Sequence, residues 1–294
     1  MKTKWLSLAL TAALAAGSAS AVPAQGVPSN PNAASAVGAP DPAAEIGQLA
    51  RLFRAGDLAG LAQALTPRSK WETARAAFEV KRRKPTTESE RARFAEKINE
   101  LTSPDAVDRM MAKIEPELGK ARPQLPGMLL MAFGGIQVAL KSPDSKLTDA
   151  QRKAIESALP GFQRWATSTD FLSSESMRSA LTRLTEAARG TGITDIDQLK
   201  SLPLEGVLER ASPMLAAAKD AARTYGIDLD AIADSLKVDV LDRNGDKARV
   251  RTTVTVFGAP VWAEYDLVLV EGHWYGEHVV AELRGMHDLD DLDG

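Results

Sequence analysis

The chain has 294 residues, with 36 Lys and Arg against 39 Asp and Glu, and no cysteine. A formal charge of −3 gives no electrostatic case for nucleic acid as a partner. The lack of Cys excludes disulfides, a cysteine nucleophile and lipid attachment at an N-terminal Cys, so stability must come from packing.

The first 26 residues read MKTKWLSLALTAALAAGSASAVPAQG. Lys2 and Lys4 form a basic start, residues 5–16 a short apolar run, and Ala19-Ser20-Ala21 a small-residue cleavage signal. The apolar run is shorter than the ~20 residues a membrane span needs. The pattern predicts a secretory signal over 1–21, and a periplasmic or secreted mature chain with no transmembrane segment. Residues 22–42 hold five prolines and one charge, a composition that does not repay its ordering entropy, and are expected to be a flexible leader.

From 43 to 235 the apolar spacing is helical. Ile46, Leu49, Ala50 and Phe53 recur at helical intervals, as do Val107, Met110, Met111, Ile114 and Leu118, and again Met177, Ala180, Leu181, Leu184 and Ala188. Thr148 with Gln151 makes a capping box, and Ser103-Pro104 places Pro at a helix start. Helices should stop near Gly190-Thr191-Gly192 and at Gly226, and Pro160 should kink or break the helix that contains it. The run EVKRRKP (79–85) reads as a helix end, where cations suit the dipole and Pro85 stops the turn. Its sharper alternative is contact with anionic headgroups or an acidic partner.

The segment LPGMLLMAFGGIQVAL (125–140) is the most apolar of the mature chain. Its length predicts a buried central helix. The functional alternative makes Met128 and Met131 one wall of an apolar ligand cavity, since Met adapts to irregular contacts.

At 236 the period changes to two. Strands are expected over 236–242, 247–257, 261–270 and 273–283, with turns at Gly258-Ala259-Pro260 and Glu271-Gly272, ahead of an acidic tail over 284–294. Asp242, Asn244 and Asp246 alternate like the first half of a calcium loop. However, Lys247 stands where the sixth-position Gly belongs and Thr253 where the bidentate Glu belongs. Asn244-Gly245 between alternating runs instead signals a hairpin.

Histidine is scarce. His273 and His278, five apart, face opposite sides of a regular strand, and only a bulge at Gly276 would let them join Glu271, Glu277 or Glu282 around a metal. No such ligand spacing is present, so neither a metal nor another cofactor is expected. There is no G-x-S-x-G elbow, no Walker lysine motif and no dinucleotide loop. Sequence does not show which of the 39 carboxylates approach one another, so an acid–base pair stays open.

The run DKARVRTTVTVFGAPVWAEYDLVLVEGHWYGEHVV (246–280) resembles the strand meander of cystatin-like and nuclear-transport-factor-like modules, at Ala248, Val250, Gly272 and Trp274. It is also similar to exported phospholipid shuttles of the toluene-tolerance family. This chain differs from that family in its longer helical part and in ending soon after the last strand, and no functional residue carries over.

The expected fold is α+β, a mostly helical body over 43–235 packed on a small antiparallel sheet over 236–283. The expected function is a non-enzymatic binding or protein-interaction role in the bacterial cell envelope, with an unidentified envelope protein or lipid as partner. An apolar patch around Trp262 and Trp274 would serve such a role. The alternatives are a carrier of a lipid or small apolar ligand in a helix/sheet cavity, and a hydrolase using carboxylates or His273 and His278.

Overall fold

The structure, a computed structural model, describes residues 40–145, 147 and 149–285. The expected signal over 1–21, the expected leader up to 39, Thr148 of the expected capping box and the tail from 286 lie outside the described residues.

The fold is α+β. Helices α1 (Pro42–Ala55), α2 (Leu58–Ala64), α3 (Arg68–Arg83), α4 (Glu88–Thr102), α5 (Ala106–Ala121), α6 (Leu125–Lys141), α7 (Asp149–Ser168), α8 (Ser174–Gly190), α9 (Ile196–Ser201), α10 (Leu204–Thr224) and α11 (Leu229–Asp234) come first. Strands β1 (Lys237–Asn244), β2 (Lys247–Val256), β3 (Ala259–Val270) and β4 (His273–Gly276) follow, and α12 (Glu277–Gly285) closes the described chain.

Local chemistry accounts for the helix ends. Asp41 caps α1 by accepting from the Ala43 amide, with Pro42 in the first turn and Gly56 at φ 72° ending the helix. Thr87 and Glu90 form a full capping box on α4, and Ser173 caps α8. Helix α5 starts at Ala106, so Pro104 sits in the preceding turn and not at the first helical position. The end of the leader belongs to the fold: Pro42 is buried, and the Pro40 carbonyl accepts from the Trp274 indole at 2.8 Å.

Helix α7 is continuous through Pro160, so the proline does not break it. Pro160 and Glu156 are both exposed, so water reaches the carbonyl the proline leaves without a donor. Helices α8 and α10 share the largest helix–helix interface, where Ala180, Thr185 and Ala217 are buried, and α5 and α4 pack on α8.

The sheet is a meander in the order β1-β2-β3-β4, every pair antiparallel. Each connection is a two-residue turn. Phe257 and Gly258 have φ 51° and 77°, and Glu271 and Gly272 have φ 53° and 85°, the positive pair of a type I′ turn. Gly245 at φ 60°, followed by Asp246, opens the β1–β2 turn between Asn244 and Lys247. The stretch read as half a calcium loop is therefore a hairpin. β4 spans four residues, not the eleven expected over 273–283, because the chain turns helical at Glu277. Val279, Val280 and Leu283 then share one helical face, with Val280 buried.

One face of the sheet carries Ala248 opposite Leu267, Val250 opposite Tyr265 and Leu269 opposite Trp274. These residues and Ile46 of α1 form the sheet-side core. Helices α1, α7 and α11 pack on the sheet. The other face presents Arg249 opposite Asp266 and Arg251 opposite Glu264, a solvated charge ladder.

Candidate functional site

The expected burial of 125–140 is overturned. Helix α6 touches α7 along a narrow seam: Phe133 and Leu140 are buried, and Leu125, Leu129 and Ile136 are half-buried. The rest of its circumference faces solvent. Leu130 is 75 % exposed, Met131 72 %, Val138 68 % and Met128 57 %. Between them lie Gly127, Ala132, Gly134, Gly135 and Ala139, also exposed, so the outward surface is apolar apart from Gln137. Helical spacing alone did not reveal this, because α6 is apolar all round and has no polar face to mark its outside.

What holds α6 is an aromatic chain. The Phe133 ring meets Phe162 of α7 edge-on at 5.8 Å, and Phe162 lies 5.3 Å from Trp165. Trp165 stacks on Phe257 at 4.5 Å, meets Phe171 at 4.9 Å, and donates its indole N–H to the Tyr225 carbonyl at 2.7 Å. The apolar helix is thereby anchored to the β2–β3 turn and to the end of α10. Among the described residues no single helix is long and apolar enough to cross a membrane. Helices α5 and α6 pass that test only as a pair, bent by 65° at their junction.

The sheet tryptophans occupy different surroundings. Trp262 lies on the charged face with the Arg251 guanidinium 4.9 Å above its ring, while Arg251 also donates to Glu264 at 3.0 Å. Trp274 is buried in the core and not part of an exposed patch: its amide donates to Glu45 at 2.5 Å, and Arg243 covers its ring at 5.3 Å. The four residues Met128, Met131, Trp262 and Trp274 are not gathered into one cleft. Two shallow, open grooves lie elsewhere in the described structure, one along α8 around Arg178 and Glu186, the other around the β1–β2 turn, and none of the four lines either.

His273 and His278 also stay apart. His273 begins β4, with Nδ1 2.6 Å from Glu45 of α1, whereas His278 lies in the first turn of α12. Nothing in the sequence singled out Glu45, which reaches across 228 residues to tie α1 to the sheet edge. Glu271 accepts from the Ser69 amide, and hydrogen bonds from the Ser69 side chain and amide hold its carboxyl below the usual range. Burial pushes the Tyr275 hydroxyl up, helped by the charges of Glu45 and Glu271. Burial raises Tyr265 as well, partly offset by a hydrogen bond with Thr252. Around the former calcium candidate, Lys247 pairs with Glu277 at 3.2 Å and Arg249 with Asp266 at 3.5 Å. Among the described residues, no three His, Asp or Glu side chains are grouped to hold a metal ion.

No protein-family model, no curated protein and no solved structure matches this chain. The likeness of residues 246–280 to known meanders thus stands on its short motif alone.

Proposed function

We propose that the protein is an exported, non-enzymatic binding protein of the bacterial cell envelope that docks through the outward face of α6. The observation that carries this reading is the exposure of Met128, Leu130, Met131 and Val138 on a helix with no charge before Lys141. A contiguous apolar surface of this kind marks an interaction site, and a helix apolar all round is one that ends up covered. Export rests on the sequence pattern of residues 1–21. His273, bound to Glu45 at the sheet edge, favours a structural use of that residue over hydrolysis.

The test is a photo-reactive amino acid placed at position 131 in cells, with a second placed at exposed Arg93 of α4 as the control. Docking through α6 gives a discrete adduct from 131 and none from 93. Equal yields at both positions, or no adduct to either protein or lipid at both, would remove the reading. Mass spectrometry of the same exported protein should show a mature mass starting near Val22. A lipid retained through native purification and released on denaturation would instead favour the carrier alternative.

A further inference from the structure

We infer that the occupant of the α6 face is the surface of an anionic lipid bilayer. The inference rests on α6 being a docking face and adds what that face meets.

Charge is the first argument. Residues 115–153, which are α6 with its flanks, contain six Lys or Arg and four Asp or Glu, a local charge of +2 on a chain whose formal charge is −3. Within that segment residues 123–140 carry no charge at all. Before the apolar run stand Lys120, whose ammonium pairs with Glu117 at 2.6 Å, and Arg122, which donates to the Leu172 carbonyl at 2.8 Å; exposed Lys141 and Lys153 stand after it. An uncharged, apolar surface with cations at both ends suits a helix lying flat, its side chains in the acyl boundary and its ammonium groups among anionic headgroups.

The second argument is the kind of side chain exposed. Leu130, Met131, Met128 and Val138 are aliphatic, and the outward surface carries no Trp, Tyr or Arg. The hot spots of protein interfaces are enriched in those three residue types. A fluid acyl boundary needs none of them.

Dimension is the third. At ~1.5 Å per residue, a helix of this length falls short of the ~30 Å hydrocarbon layer. Its seam with α7 is fixed by Phe133 and Leu140, and α5 turns away by 65°. The helix is held against the body with one long side outward, a geometry for lying on a bilayer and not for crossing it.

The test is flotation of the full chain with vesicles of phosphatidylcholine, with and without phosphatidylglycerol. The protein should float with the phosphatidylglycerol vesicles and stay at the bottom with phosphatidylcholine alone. Raising the salt concentration, or the pair Lys141→Glu and Lys153→Glu, should weaken binding several-fold. The pair Leu130→Glu and Met131→Glu should abolish it while leaving the circular dichroism melt in place, since both side chains are exposed. Any contribution from the N-terminus is common to all these proteins and cancels. If neither vesicle type floats the protein but position 131 still cross-links to a protein, or the L130E/M131E pair splits a dimer in sedimentation, the bilayer is the wrong occupant and the docking face stands. If flotation and cross-linking are both indifferent to α6, both readings fall.

Discussion

Gly161 of α7 lies so close to the β2–β3 turn that a Cβ at that position would come within 2.6 Å of the Phe257 carbonyl oxygen. The contact is with backbone, so a side chain there does not swing aside. The same turn holds Phe257 at φ 51° and stacks its ring on Trp165. Gly161→Ala should push the turn off the helix and cost about 1–3 kcal/mol by overpacking. Urea unfolding followed by tryptophan fluorescence reads it, because Trp165 lies in the contact. An unchanged midpoint would mean that the turn does not rest on α7.

Lys219 ties three elements together. Its ammonium donates to the carbonyls of Phe53 and Arg54 at the end of α1, at 3.2 and 2.9 Å, and to Asp230 of α11 at 2.7 Å. The residue is 5 % exposed and also lies over the Phe53 ring at 5.4 Å. Lys219→Ala leaves the Arg54 carbonyl without this donor, the Phe53 carbonyl with the Gly56 amide alone, and Asp230 with Arg223 as its remaining partner. Removing one member of a buried pair costs about 3–5 kcal/mol, and Asp230 keeps some water, which favours the lower end. Thermal unfolding checks the size. A loss under about 0.5 kcal/mol, the level of an ordinary surface change, would contradict the capping role.

Stability should fall on both sides of neutral pH for different reasons. Hydrogen bonds from Ser69 lower the Glu271 carboxyl, and backbone amides with Arg223 lower Asp228. A carboxylate lowered in the fold adds stability above its unfolded value, and loses it as pH falls through the folded value. That places the acid decline below the ordinary 4.5 of Glu and 3.8 of Asp. Tyr265 and Tyr275 are raised by burial, so their contribution is complete below the ordinary 10.0 and is lost as pH climbs through the folded values. A melting temperature flat from about pH 5 to 9 and falling outside that window is expected. Tyr265→Phe should flatten part of the alkaline decline and leave the acid side as it was.

Much of the architecture was legible because periodicity and turn chemistry act locally. The alternation around Val250 and Val254, with Asn244-Gly245 between strands, led to the meander, and the apolar spacing from Ile46 onward led to the helices. The errors arose where tertiary contact or solvent decides. Pro160 does not break α7 because its orphaned carbonyl faces water. Residues 277–283 carry valines that suit a strand, yet their spacing also fits one helical face, and the chain takes the helix. The candidate site was half legible: Met128 and Met131 were singled out for their chemistry, but nothing in an all-apolar helix says which side meets solvent. Trp274 was expected on the surface, and its burial depends on Glu45 and Pro40, more than 200 residues away in the chain.

The two sides of α6 should therefore answer substitution in opposite ways. Phe133 is 8 % exposed and carries the edge contact to Phe162, so Phe133→Ala opens a cavity in the seam and should cost about 3 kcal/mol. Leu130, at 75 % exposed, has little to lose in the isolated protein, and Leu130→Gln should shift stability by under about 0.5 kcal/mol. Differential scanning calorimetry on dilute protein measures both. A large loss from Leu130→Gln would mean that α6 is buried in solution, by a second copy or by the body of the chain. In that case a dilution series separates the two, since only a dimer has a melting temperature that falls on dilution.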